Sequence, residues 1–305
     1  MINKTYRTQV DLLLEVLPFI AQEKVFALKG GTAINLFIRD MPRLSVDIDL
    51  TYLLFDSRKK ALENISKTLN RIKSAVELNI PHIKIHSVKV GGSVLKLNCQ
   101  RQNAQIKIEV NSVTRGHIYP PKLRQIADSV QDEFGKFVAI NVVSFAELYG
   151  GKICAALDRQ HPRDLFDVKL LMENEGFNDA VWNGVKLGLI SHYKPIGELL
   201  FPIFKNQKSA FVNQFKGMSK IEFNYSDYIK TRQKLIETIG KRLTKNDKEF
   251  FISFEEGNPN WDLLSINRAD KLPAVEWKLL NIRKLRNDNE KKHRQSIEKL
   301  RASFS

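Results

Sequence analysis

The stretch from Val25 to Leu50 constrains this chain more than any other. An apolar run, Val25-Phe-Ala-Leu-Lys29, ends at Gly30-Gly31; a short helical pattern follows, and a second apolar run carries Asp47-Ile-Asp49. Residues two apart on a strand project to one face, so both carboxylates point the same way. Glycines at the first turn let the backbone come close to a phosphate, and the helix behind them presents free N–H groups and a positive dipole end. Carboxylates paired beside such a cradle suit Mg²⁺ carrying a nucleoside triphosphate. The pattern implies nucleotidyl transfer.

The surrounding periodicities supply a scaffold for that pair. Val10, Leu13, Leu14, Leu17 and Ile20 recur at helical spacing and predict a helix over 8–22, with a second over 57–78. The period then changes to two. Ile83, Ile85 and Val88 precede Gly91-Gly92, Leu95, Leu97 and Cys99 alternate with Lys96 and Asn98, and Ile106, Ile108 and Val110 alternate with Lys107, Glu109 and Asn111. Each of these strands has one buried and one polar face. Past Tyr119-Pro-Pro the pattern is helical: 144–157 behind a capping box, 163–173, 178–192, 226–243, 247–256, and a last helix from Pro273 with Val275, Leu279, Ile282 and Leu285 on one stripe. The expectation is an α+β chain. A mixed sheet of about five strands with flanking helices spans 1–137, and a helical domain spans 138–305.

Nucleotidyl transfer uses a metal to bridge the triphosphate while a hydroxyl attacks in line and pyrophosphate leaves. A third carboxylate normally completes the cluster, as ligand or as base, and Glu109 on the polar face of its strand is the candidate; the alternative is a solvated strand residue. Lys152 and Arg159 lie seven apart on one helix, a stripe that can hold phosphate oxygens. Arg163-Asp164-x-x-Asp167 opens the next helix; its acids either complement the helix dipole, orient Lys152 or reach the nucleotide. Gly150-Gly151-Lys152 lacks the first P-loop glycine and the following Ser or Thr, which excludes that reading. Lys29 either faces the triphosphate or only flanks its strand. His82 and His86 have no third ligand nearby, and Trp261 and Trp277 read as core anchors.

Forty-nine Lys and Arg against 34 Asp and Glu leave a net charge of +15, which favours a polyanionic partner. Nine basic residues against three acidic ones fall between Lys278 and Arg301, as one basic helix. No apolar run approaches the ~20 residues of a membrane span. The first residues show no signal-peptide pattern, and two isolated cysteines fit a reducing cytosol.

Taken in order, Lys29-Gly-Gly-Thr, Ser45-Val-Asp-Ile-Asp, Gly151-Lys-Ile-Cys-Ala-Ala-Leu-Asp-Arg159 and Arg163-Asp-Leu-Phe-Asp167 resemble the AbiEii/AbiGii family of abortive-infection toxins, to which the MenT-like toxins are similar. The resemblance covers about residues 20–240. It implies a DNA-polymerase-β-like nucleotidyltransferase core with a helical second lobe, a cognate antitoxin as partner, and addition of nucleotides to the 3′ end of tRNA; Mg²⁺ is the cofactor that the paired carboxylates call for. Matched by motif, Asp47, Asp49, Lys152 and Asp167 are the implied catalytic residues, Asp47 and Asp49 as metal ligands; Glu109, read from its strand position and not from a motif, is the expected third catalytic ligand. Lys29, Gly30, Gly31, Thr32, Ser45, Arg159 and Asp164 lie on the nucleotide side. Ser45 also resembles a serine that some relatives silence by phosphorylation, where added negative charge opposes the metal carboxylates. Two alternatives remain: a nucleotidyltransferase acting on a small molecule or protein, and a non-catalytic regulator that binds NTP or RNA.

Overall fold

The computed structural model describes residues 4–304, which divide into two compact units. The first comprises the residues up to Ser144 together with Gln214–Glu222, and the second Phe145–Asn213 and Phe223 onward. The boundary falls seven residues later than the expected 137/138 because Ala139–Val142 is a strand of the first unit's sheet, and 214–222 returns to that unit through Leu44 N–H to Met218 O (2.9 Å) and Lys220 N–H to Pro42 O (2.8 Å).

In chain order the first unit contains α1 (Lys4–Ala21), β1 (Phe26–Lys29), α2 (Gly30–Ala33), β2 (Asp47–Tyr52), α3 (Arg58–Asn79), β3 (Lys84–Val90), β4 (Ser93–Arg101), β5 (Ala104–Val110), β6 (Lys122–Gln125), α4 (Asp128–Phe134) and β7 (Ala139–Val142). These strands form a seven-stranded sheet in the order β3-β4-β5-β2-β1-β7-β6. The pairs β2–β5 and β1–β7 are parallel and the others antiparallel. The sheet is therefore mixed, as expected, but two strands larger. On β5, Ile106, Ile108 and Val110 are buried while Lys107 and Glu109 are half-buried, and β4 alternates in the same way. α1 packs on β5 and β7, and α3 on β4. Leu12, Leu13 and Leu17 are fully buried, each contributing roughly 1.5–3 kcal/mol of apolar transfer. The short helix expected after the glycine pair begins at Gly30 itself and widens into a π-helical turn, Ile34–Ile38, closed by Arg39 N–H to Ile34 O at 2.8 Å.

The second unit contains α5 (Phe145–Arg159), α6 (Pro162–Asn174), α7 (Asp179–Ser191), α8 (Ile196–Leu200), α9 (Lys208–Gln214), α10 (Tyr225–Arg242), α11 (Lys245–Glu255), α12 (Pro273–Asp288) and α13 (Glu290–Phe304). Its tightest crossing joins α5 to α7 along small residues. A Cβ on Gly150 would lie 2.1 Å from the Gly184 carbonyl carbon, one on Gly184 would lie 1.8 Å from Ala146 O, and one on Gly188 2.5 Å from Cys154 Sγ. Spacing of four puts Ala146, Gly150 and Cys154 on one face of α5, and Gly184 and Gly188 on the facing side of α7. Gly150, which suggested a phosphate loop, thus serves helix contact. Burial pushes both thiols, Cys99 and Cys154, up to about 12, so they stay protonated and inert at neutral pH.

The final basic segment is two helices, not one. Asn289 adopts φ −153° and ψ 75°, which ends α12 before α13 begins. Lys278 does not face solvent: it is 5 % exposed, donates to Leu189 O (3.0 Å) and Lys194 O (2.8 Å), and lies 3.5 Å from Glu255. Trp261 packs on the buried Phe250 and Phe254 but is itself only half-buried, and Trp277 is 50 % exposed, so neither is the core anchor expected.

Two neighbouring glycines separate the effects of packing and backbone freedom. Gly150→Ala should lower stability by about 2–3 kcal/mol, because α5 and α7 must part. Gly151→Ala, with nothing within 4 Å of the new methyl, should raise it by ~0.5–1 kcal/mol. Urea unfolding of both variants checks the opposite signs.

Candidate functional site

Gly30 adopts φ +73°, and a Cβ there would lie 2.5 Å from Asp49 Oδ2. Both backbone conformation and space therefore require glycine, and the missing side chain leaves room for the Asp49 carboxylate against the start of α2. Gly31 is crowded by the other flank: its Cβ would meet Ser45 Oγ at 2.7 Å and Arg43 Nη2 at 2.9 Å. Thr32 is fully buried and donates its hydroxyl to the Asp47 carbonyl oxygen (2.5 Å), with Ser45 Oγ 3.1 Å away. The glycine pair and Thr32 thus tie the first helical turn to the strand that carries Asp47 and Asp49.

Strand pairing sets what faces those two carboxylates. Across β4, β5, β2 and β1, Lys96 pairs with Glu109, Glu109 with Asp49, and Asp49 with Lys29; in the next row Lys107 pairs with Asp47. Cross-strand partners share a face, so Asp47, Asp49 and Glu109 lie on one side of the sheet together with three lysines. Lys107 Nζ is 3.1 Å from Glu109 Oε2 and 4.0 Å from Asp47 Oδ1, and Lys96 Nζ is 3.3 Å from Glu109 Oε2. Burial pushes Glu109 up, but the two ammonium groups outweigh it and hold the carboxyl below its ordinary value. Lys29 donates to Thr114 Oγ1 at 3.2 Å; burial pulls its ammonium below the usual lysine value, against the opposing pull of Asp49 and Glu109.

A divalent metal would find a pair of hard oxygen donors here. Asp47 is 42 % exposed, and the space that a Gly30 side chain would fill lies against Asp49, so the two carboxylates fit a Mg²⁺ ion. Glu109 is engaged by Lys107 and Lys96. Among the described residues, no three His, Cys, Asp or Glu side chains gather as a metal-holding group.

The second unit holds the other candidate residues. Lys152 on α5 lies 2.9 Å from Asp164 Oδ1 and 3.0 Å from Asp167 Oδ2, with both carboxylates and the ammonium almost fully buried. Arg159, two turns along α5, places Nε 2.5 Å from Asp164 Oδ2 and Nη2 2.9 Å from Asp164 Oδ1. Its side chain is 60 % exposed, so it is the member of the cluster open to solvent. Burial alone would push Asp164 up, but the Lys152 charge and the Arg159 fork prevail and hold it well below the usual carboxylate range. Both acids of the Asp164-x-x-Asp167 spacing meet Lys152, while the N-cap of α6 is His161, which accepts from the Arg163 N–H.

A family profile described as "Nucleotidyl transferase AbiEii toxin, Type IV TA system" matches residues 11–281. This chain belongs to the AbiEii toxin family. It is a nucleotidyltransferase of type IV toxin–antitoxin systems, whose partner is an antitoxin. The AbiEii chain superposes on MenT4, a nucleotidyltransferase toxin from Mycobacterium tuberculosis H37Rv, with a TM-score of 0.60 over 91 % of this chain and 93 % of that one, at 13 % identity. The likeness to MenT4 is one of fold. The AbiEii chain is also 24 % identical over 255 residues to the spore germination protein GerQC of Bacillus cereus, covering 73 % of this chain and 68 % of that protein. Among the described residues of this AbiEii protein, no helix is long and apolar enough to cross a membrane.

Reading the sequence did not single out Lys107 or Lys96. The signal was present: both occupy polar positions of alternating strands, and Lys107 stands two residues before Glu109 on the same face.

Asp164 makes an acid-dependent contribution to stability. Its folded value is depressed, so the contribution is at full strength above the unfolded value near pH ~4 and is lost as pH falls through the lower folded value. Asp164→Asn should cost about 3 kcal/mol near neutral pH, where it strands buried charge. The gap to wild type should narrow as the pH falls below ~4. Urea unfolding across that range checks it; a gap that does not change would mean that Asp164 is not ionised in the folded protein.

Proposed function

We propose that this AbiEii protein transfers a nucleoside monophosphate from an NTP to the 3′ hydroxyl of an RNA, foremost the acceptor end of tRNA, and so blocks translation in the cytosol until its antitoxin intervenes. The observation that carries the reading is the placement of Asp47 and Asp49 on one sheet face, with Asp49 against Gly30 and in register with Glu109. Asp47 and Asp49 would hold Mg²⁺, with Glu109 as a third oxygen donor once it leaves its lysines. When bound, the ion offsets charge on the triphosphate as pyrophosphate departs.

The remaining residues bind and orient. Gly30, Gly31 and Thr32 shape the first turn beside the triphosphate, with Ser45 behind it, and Lys29 adds positive charge from the adjacent strand. Lys152, Asp164 and Asp167 form a buried ionic anchor beside which the largely exposed side chain of Arg159 can meet phosphate oxygens. A net charge of +15 favours an RNA acceptor over a small molecule, through neutralisation of backbone phosphates. On α12 and α13, Lys284, Lys291, Lys292 and Lys299 are exposed and suited to that task, whereas Lys278 is not.

The purified protein, incubated with each labelled NTP, Mg²⁺ and total tRNA, should extend tRNA 3′ ends. Asp47→Ala should reduce incorporation by about a thousandfold, the loss expected when several kcal/mol of charge stabilisation disappear. Growth arrest should vanish with it. Label appearing in protein or in small molecules instead of RNA would overturn the choice of acceptor. An active Asp47→Ala variant would overturn the chemistry.

A further inference from the structure

Lys107 belongs to no motif of the proposed machinery, yet it occupies the middle of the acidic face. Parallel pairing puts it directly across from Asp47, and spacing of two puts it beside Glu109 on its own strand. Its ammonium is 4.0 Å from Asp47 Oδ1 and 3.1 Å from Glu109 Oε2, touching a carboxylate on each of the two central strands. Without it, Asp47, Asp49 and Glu109 would crowd three negative charges onto neighbouring positions, a repulsive arrangement. With it and Lys96, Glu109 is neutralised from both sides.

We propose that Lys107 is a built-in counter-ion of the acidic site: its ammonium stands in for a divalent cation between Asp47 and Glu109, gives way when one enters, and thereby weakens the affinity for free metal. This rests on the reading of Asp47 and Asp49 as metal-holding residues. The side chain is suited to giving way. It is 34 % exposed and ends in a strongly hydrated ammonium on a flexible four-carbon stem, so it can leave for solvent without stranding a buried charge. Asp47 and Glu109 are 42 % and 41 % exposed, so an arriving cation reaches the same oxygens from solvent. The consequence is an enzyme that loads metal weakly alone and more readily as the metal–triphosphate complex, whose phosphates offer the displaced ammonium a new partner.

Mn²⁺ binding to the full chain without nucleotide, followed through the electron paramagnetic resonance signal of the free ion, tests this. Lys107→Met should bind Mn²⁺ about fivefold more tightly than wild type, the weight of one removed charge near 4 Å in a solvated setting. Lys107→Arg, which keeps the charge, should stay near wild type. Should the Met variant fail to fold by circular dichroism, Lys107→Gln makes the same comparison. Asp49→Asn should weaken binding in either background. Lys107→Met affinity equal to or below wild type, with Asp49→Asn still impaired, would overturn the counter-ion role and leave the metal reading intact. Unimpaired Asp49→Asn would overturn both.

Discussion

The parallel pairing of β2 with β5 is the constraint on which the rest of the first unit depends. It sets Asp49 opposite Glu109 and Asp47 opposite Lys107, and the antiparallel neighbours extend the row to Lys96 on one side and Lys29 on the other. A slip of one residue in β5 would turn Glu109 and Lys107 onto the apolar face, away from Asp49 and Asp47. That slip is prevented from behind, because Ile48, Leu50, Ile106 and Ile108 are each no more than 2 % exposed. The geometry of the polar face is thus held by hydrophobic packing on the other. The glycine pair completes the arrangement: Gly30 makes room for Asp49 and Gly31 for Ser45 and Arg43, and Thr32 clasps the strand's first carbonyl.

In the second unit a different economy holds. α5 uses one face for backbone-close contact with α7 and another for the ionic cluster with α6. Lys152, Asp164, Asp167 and Arg159 balance in charge, which is what allows three of them to be buried. The fork from Arg159 to Asp164 fixes the guanidinium while leaving more than half of its side chain open. Small residues and buried ions restrict α5 to one setting, and the setting determines where Arg159 stands.

Much of this was legible in the sequence, for identifiable reasons. Strict alternation along β4 and β5 marked both their faces, and the Gly-Gly…Asp-x-Asp order pointed to the family. β6 was not legible because Lys122, Leu123 and Gln125 are exposed and carry no apolar alternation, and β7 because four residues make too short a pattern. The break at Asn289 lies in a polar run, Asn287-Asp-Asn-Glu290, where no apolar stripe could show a change of direction. Lys278 was counted with the exposed cations because composition does not report burial; its partners are backbone carbonyls about ninety residues earlier in the chain. For the same reason the Lys107 contact was hidden: it depends on the register between strands, not on either strand alone.

The connectivity of the sheet bears on the order in which the acidic row can assemble as the chain is made. β2 sits between β5, which follows a helix and two strands later, and β1, whose other neighbour is β7, the last strand to be made. While residues beyond Asn103 remain inside the ribosome, Asp47 and Asp49 have no parallel neighbour, and the middle of the sheet has only its β1–β2 pairing. The acidic row therefore closes only after β5 has been made, when Glu109 and Lys107 come into register with Asp49 and Asp47.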